Sequence, residues 1–240
     1  MTRKNIVRSC YYPYHVTARC HSRKWFPLPL DEIWDIFASQ INFVIQEESA
    51  RVHAFVLMSN HFHLLLETPK ANVDRIMYWI MKKTTLEIQA RAGGVNSLYG
   101  GRYHGSLLKK LDYQLNAYKY ILRNPVAAGL CPNVEDYPHS TLFRSHKGKL
   151  NFPMHKINFS EYFSDESVIL LWLNCGFKDD EVKSIKCGLD RPEFAYGKND
   201  FSRKFVVPEI VHPTLIETEK MWDDFMPDTL ADEPKNTLEL

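Results

Sequence analysis

Two apolar runs, Arg51 to Met58 and His61 to Glu67, are separated by Ser59-Asn60, a turn-forming pair. Runs of this kind read as the two strands of a hairpin. The second strand opens with His61-Phe62-His63. Side chains two apart in a strand share a face. Both imidazoles therefore stand side by side, with Phe62 turned the other way. On a rigid element that is a ready pair of metal ligands. The simpler account, packing or rim histidines, holds unless the chain also supplies a third ligand, a nucleophile and a reason to bind something anionic.

The elements around the hairpin define the fold class. Tyr11 to Cys20 is rich in aromatic and β-branched residues and reads as a first strand. Asp31 to Glu47 carries Ile33, Trp34, Phe37, Ile41 and Val44 at near-helical spacing, with acidic residues in the first turn. Asn72 is placed to cap a helix from Val73 to about Ala92, which Gly93-Gly94 ends. Arg102 to Lys110 reads as a fourth strand and Leu111 to Leu122 as a further helix. Strand, helix, strand, strand, helix, strand, helix is the order of an α+β, ferredoxin-like split βαβ domain: an antiparallel sheet with helices on one face. The periodic pattern lapses around 143–158, which predicts a domain over 1–148 and a C-terminal appendage over 149–240. In the appendage, Glu161 to Asn174 and Lys178 to Lys186 read as short helices, and the end (PDTLADEPKNTLEL) is predicted to be disordered.

The net charge of +1 hides an asymmetry. Residues 1–149 hold 20 Lys and Arg against 11 Asp and Glu; residues 150–240 hold 10 against 18. A basic body suits a polyanionic partner such as nucleic acid, and an acidic tail does not. Arg19, Arg23, Lys24, Lys82, Lys83, Arg102, Lys109 and Lys110 are the candidate phosphate contacts, each otherwise a solvated surface charge. The five cysteines are scattered and odd in number, so a reduced, cytoplasmic protein is expected, associated with the nucleoid when bound to DNA. There is no signal-peptide pattern, and the longest strongly apolar stretch, Val168 to Leu173, is too short to span a bilayer.

The last predicted helix of the body carries Tyr113, Tyr118 and Tyr120. Tyr113, Asn116, Tyr120 and Asn124 fall three or four residues apart and share a helical face. A phenolate opposite a histidine pair is a nucleophile suited to a phosphodiester, and the ester it forms conserves the energy of the broken bond. Two imidazoles with an amide oxygen suit Mg²⁺ or Mn²⁺ better than structural zinc. Spacing leaves the choice among these tyrosines and asparagines open. Packing explains any single tyrosine equally well. Asn124-Pro125 followed by Gly129 is also the pattern of a separate short helix, capped at both ends.

Five motifs in order resolve the choice. Met58 to Leu65 (MSNHFHLL) resembles the histidine–hydrophobic–histidine motif of single-strand tyrosine transposases. Tyr14-His15-Val16-Thr17-Ala18-Arg19 resembles their first strand, and Gly101-Arg102-Tyr103 the entry to their last. Tyr120 to Leu130 (YILRNPVAAGL) is similar to the helix carrying their nucleophile, and Glu135 to Ser140 to the segment closing the domain. The resemblance is to the REP-associated branch and covers roughly 8–145. It implies Tyr120 as nucleophile and His61, His63 and Asn124 as ligands of Mg²⁺ or Mn²⁺. It implies metal-dependent cleavage and strand transfer of single-stranded, hairpin-forming DNA through a 5′-phosphotyrosine, by a monomer or homodimer without a membrane partner. Cys20, Tyr99-Gly100 and Leu122-Arg123 depart from the usual residues without removing a catalytic group. The alternatives are a host-adapted, noncatalytic hairpin binder, a phosphodiesterase using water, and a noncatalytic scaffold.

Overall fold

Alternation of apolar side chains along Tyr14, Val16 and Ala18, and along Phe62, Leu64 and Leu66, drives two strands together over one core. The computed structural model describes residues 6–94, 97–160, 162–163, 165–199 and 203–210. Strands β1 (Tyr14–Arg19), β2 (Arg51–Leu57), β3 (His61–Glu67) and β4 (His104–Leu107) form one sheet in the order β2-β3-β1-β4. Every neighbouring pair is antiparallel. Helix α1 (Leu30–Glu48) follows β1 and α2 (Val73–Ala92) follows β3. This is the predicted split βαβ arrangement, with these two helices on one face.

That face holds the larger core. Trp34, Phe37 and Ile41 of α1 and Ile76, Ile80 and Ile88 of α2 are buried with Tyr14, Val16, Phe55, Phe62 and Leu64 of the sheet. The Phe37 ring lies 5.0 Å from Phe62 and 5.4 Å from Phe55. Each such side chain contributes about 1.5–3 kcal/mol on burial. The Tyr14 hydroxyl donates to Val7 O at 2.9 Å, which satisfies the polar end of a fully buried ring.

The expectation of helices on one face only does not hold, because the apolar side chains Ala54, Val56 and Leu65 on the opposite face are covered by helices as well. Helix α3 (Leu111–Ala127) lays Leu115, Ile121 and Leu122 over Ala54, Val56 and Leu65. Residues beyond 150 complete this layer: Trp172 and Leu173 of α5 (Glu166–Asn174), Ile185 and Leu189 of α6 (Asp179–Leu189), then Phe194 and Tyr196. Both sheet edges are occupied. Leu57 N–H donates to His139 O and the Tyr137 hydroxyl donates to Leu57 O along β2, just before the short helix α4 (Thr141–His146). Leu107 N–H donates to Pro192 O and Phe194 N–H to Leu107 O along β4. Covered edges remove the unpaired ladder that invites another chain.

Several boundaries differ from expectation for local reasons. Strand β1 starts at Tyr14, because Tyr11 and Tyr12 precede Pro13 and stay exposed. Strand β4 spans four residues rather than nine. Asn72 does not cap α2 with its side chain; its Nδ2 donates to Glu48 Oε2 at 3.0 Å and ties the two helices together. Helix α3 does not stop at Leu122 but runs through Pro125, so Asn124-Pro125 opens no separate helix. Helix α5 begins later than expected, where Asp165 accepts from Ser167 N–H. All five cysteines are free. The predicted disordered end lies outside the described residues. Among the described residues no helix is long and apolar enough to cross a membrane.

The extension meets the sheet layer at Gly188, where an added Cβ would lie 2.6 Å from the Phe194 ring. Gly188→Ala is therefore expected to destabilise the chain by about 1–3 kcal/mol in denaturant unfolding. An unchanged midpoint would show that Phe194 does not pack there.

Candidate active site

Antiparallel register decides what stands beside the histidine pair. His63 is opposite Thr17 and His61 opposite Arg19 on β1, while β4 places His104 opposite Thr17. Paired residues point to the same face, so His15, Thr17, Arg19, His61, His63 and His104 share the face under α3. Phe62 points into the opposite core.

The ring centroids of His61 and His63 are 5.0 Å apart. His61 Nδ1 lies 2.7 Å from Asn60 Oδ1, and Asn60 Nδ2 donates to Arg23 O at 2.9 Å. The second bond orients the Asn60 amide. Its oxygen therefore faces His61, so Nδ1 carries the proton and Nε2 the lone pair. His63 Nδ1 lies 2.9 Å from His15 Nε2, with the two rings stacked at 5.1 Å. His63 Nε2 is buried without a hydrogen-bond partner. Asn60 and His15 are thus the supports of the pair. In the sequence Asn60 reads as a turn residue and His15 as part of the first-strand motif. His15 does share the strand parity of Thr17 and Arg19, but the β1–β3 register was needed to place it against His63.

Burial keeps these imidazoles neutral. It lowers His61 to about 4, with Arg19 adding to the effect, and His15 to about 3, with His104 adding to it. His63 is held well below its ordinary range by burial, and further by His15, His61 and Arg19. Neutral imidazoles are the form that binds metals.

Tyr120 comes down from α3 with its ring perpendicular to His63 and the centroids 6.1 Å apart. Burial raises its phenol above the ordinary tyrosine value; Asp190 adds to this and Arg19 opposes it. Asp190 follows α6, so the acidic extension contributes a charge to the site that the sequence did not signal. The other tyrosines are engaged elsewhere. Tyr113 packs on Phe194 and Tyr196 at 4.8 and 5.1 Å, and Tyr118 on Phe159 at 5.4 Å. Asn116 is buried and donates to the Tyr196 hydroxyl at 2.8 Å.

Asn124 stands one turn beyond Tyr120. Its Nδ2 donates to Tyr120 O at 2.8 Å and lies 3.5 Å from Ile121 O, the carbonyl that Pro125 cannot serve. The amide nitrogen is committed to the helix, which leaves Oδ1 as the atom available to a ligand. Among the described residues no three His, Cys, Asp or Glu side chains converge on a metal position. A metal at the histidine pair would therefore take an amide or solvent as its third ligand. Arg123, one of the unusual residues of this helix, donates to Leu173 O and Asn174 O at 3.0 and 2.5 Å and ties α3 to the C-terminal end of α5.

The eight candidate phosphate contacts divide. Arg19, Arg23 and Lys24 are exposed at the sheet end that carries His61. Lys82 and Lys83 lie on α2, across the sheet from the site. The Lys82 Nζ is 2.9 Å from the Tyr78 hydroxyl, and the Lys83 Nζ lies 3.3 Å from the centre of the Phe43 ring. Arg102 pairs with Asp74, which also holds Arg8 at 2.7 Å. Lys109 pairs with Glu193 at 2.6 Å, and Lys110 lies over Tyr113 at 5.2 Å.

Comparison with known proteins bears on the whole strand and helix frame. The structure of a REP-associated tyrosine transposase bound to a REP hairpin aligns with a TM-score of 0.51 at 19% identity, covering 67% of this chain and 94% of that one. A candidate transposase from Deinococcus radiodurans aligns with a TM-score of 0.33 at 15% identity, covering 44% of this chain and 82% of that one. No curated protein matches. The family model described as "Transposase IS200 like" matches residues 8–121, from before β1 to just past Tyr120, so this segment is similar to the IS200-like transposases.

Proposed function

We propose that this chain is a REP-associated tyrosine transposase, cleaving and rejoining single-stranded DNA at hairpin-forming repeats with Tyr120 as nucleophile. The observation that carries the reading is the juxtaposition of Tyr120 with His63, whose Nε2 is buried and unpartnered. An orphaned imidazole nitrogen is costly unless something pairs with it. In the tautomer in which His63 Nδ1–H donates to His15 Nε2, the His63 Nε2 lone pair is free, as is that of His61. The two free lone pairs fit a divalent cation, and the third ligand we propose is the Asn124 amide oxygen, the atom of that side chain not committed to the helix. Bound there, Mg²⁺ or Mn²⁺ would draw negative charge from the non-bridging oxygens of the scissile phosphate. The solved relative bound to a REP hairpin supports DNA of that kind as the partner.

The protein's own groups have distinct tasks. Arg19 lies opposite His61 and offers a positive charge to the entering phosphate. Tyr120 Oη attacks phosphorus, the bond to the 3′ oxygen breaks, and the phenol proton is lost as that oxygen leaves as a hydroxyl. The 5′ phosphate remains on Tyr120. Attack of a 3′ hydroxyl from the same or another strand reverses the step and restores the phenol. A tyrosine phenol is protonated near neutral pH, and burial and then Asp190 raise Tyr120 further, against Arg19, so its proton leaves in the attack itself. Asn124 links the third proposed ligand to the backbone carbonyl of the nucleophile itself.

Incubation with end-labelled single-stranded hairpin DNA and Mn²⁺, followed by a denaturing gel, tests the reaction. A covalent adduct that disappears in Tyr120→Phe is expected. Cleavage without adduct would replace this reading with a water-using phosphodiesterase, and binding without cleavage with a noncatalytic hairpin binder. Asn60 is a positioning residue for the proposed metal. Asn60→Ala should weaken Mn²⁺ binding about 10–100-fold, read from the resonance of free Mn²⁺ in the absence of DNA, and Asn60→Asp should recover part of the loss. Equal affinities in all three chains would show that His61 needs no such support.

A further inference from the structure

Residues 21–25, between β1 and α1, carry His21, Arg23, Lys24 and Trp25, all exposed. Trp25 is 77% exposed, an unusual position for so large an apolar ring. The next residue, Phe26, is buried, with its ring 6.0 Å from Phe37. The backbone is fixed from both sides: Cys20 N–H donates to Asn60 O and Phe26 N–H to Ser59 O, each at 2.8 Å, and His21 N–H to Leu98 O at 2.9 Å. Trp25 is thus held out into solvent by an anchored segment. Ser22 and Arg23 both have left-handed backbone, φ 54° and 56°, which costs about 1–3 kcal/mol each in a non-glycine residue. In this conformation Arg23 O accepts from Asn60 Nδ2, and Asn60 Oδ1 accepts from His61 Nδ1. One side-chain amide therefore separates this segment from a proposed metal ligand. Among the described residues neither Arg23 nor Lys24 is paired with a carboxylate.

We propose that residues 21–25 form a clamp for an unpaired nucleotide flanking the scissile phosphate. Trp25 stacks on the base, Arg23 and Lys24 hold the neighbouring phosphates, and Asn60 joins the clamp to His61. An exposed aromatic ring between free cations matches the chemistry of single-stranded nucleic acid, in which every base offers a face for stacking and every linkage a charge. A duplex offers only the charges. The clamp rests on the proposed reading of the site, since its nucleotide is the one next to the phosphate that Tyr120 attacks.

The probe is a DNA hairpin with unpaired flanks carrying 2-aminopurine at successive flank positions. The full chain and its Trp25→Ala and Trp25→Phe variants are titrated against it, with blunt duplex DNA as the comparison. Trp25→Ala is expected to weaken binding of the flanked hairpin roughly 5- to 150-fold and to abolish quenching of 2-aminopurine at one flank position. Trp25→Phe should retain most of both, and duplex binding should not change. If the unaltered chain binds the flanked hairpin and forms its tyrosine adduct while Trp25→Ala matches it throughout, the clamp is overturned and the proposed function stands. An equal loss on duplex DNA also overturns the clamp. If the unaltered chain does not bind the flanked hairpin, both fail. Because Trp25 is solvent-exposed, Trp25→Ala should keep the parent unfolding midpoint.

Discussion

The pairing of β1 with β3 is the constraint on which the rest depends. Thr17 opposite His63 and Arg19 opposite His61 set one face of the sheet as the site and the other as the core. A slip of one residue would reverse every side chain, taking the histidines into the core and Phe62, Leu64 and Leu66 out of it. The buried Phe37, Phe55 and Phe62 group therefore guards the register. Stability on one face and the placement of His61 and His63 on the other are consequences of the same strand alternation.

The second layer turns a sheet surface into a site. Helix α3 brings Tyr120 to His63, and the residues after 150 hold that helix from outside. Arg123 binds the end of α5, Asn116 binds Tyr196, and Trp172 lies in the same buried group as Ile121 and Leu122. The acidic extension thus packs on the helix carrying Tyr120, and Asp190 places a charge near its phenol. Its edge contact with Leu107 also closes the open side of β4.

The secondary elements were legible wherever one short window carried the pattern. The β2–β3 hairpin, α1 and α2 follow local periodicity, and each lies within a few residues of its predicted position. Helix α3 was harder, because Asn124-Pro125 is also a helix-start signal. The helix nevertheless passes through Pro125, with the Asn124 side-chain amide on Tyr120 O and 3.5 Å from Ile121 O, the carbonyl left without its usual donor. The candidate cations were legible as residues but not as a surface. Lys82 and Lys83 count toward the same net charge as Arg19, Arg23 and Lys24, yet α2 places them across the sheet.

By itself the sequence determined the strand and helix order, the shared face of His61 and His63, and the helical spacing of Tyr113, Asn116, Tyr120 and Asn124, among which only the family resemblance chooses. These properties depend on neighbours within a turn of helix or a few strand positions. Only the tertiary structure decided that His15 supports His63 across 48 residues, that Asn60 joins residues 21–25 to His61, and that Tyr113, Tyr118 and Asn116 are taken up by the extension. The physical reason is that such contacts depend on register and layer packing, which bring distant segments together through the burial of whole faces, and no local pattern records which polar groups then meet.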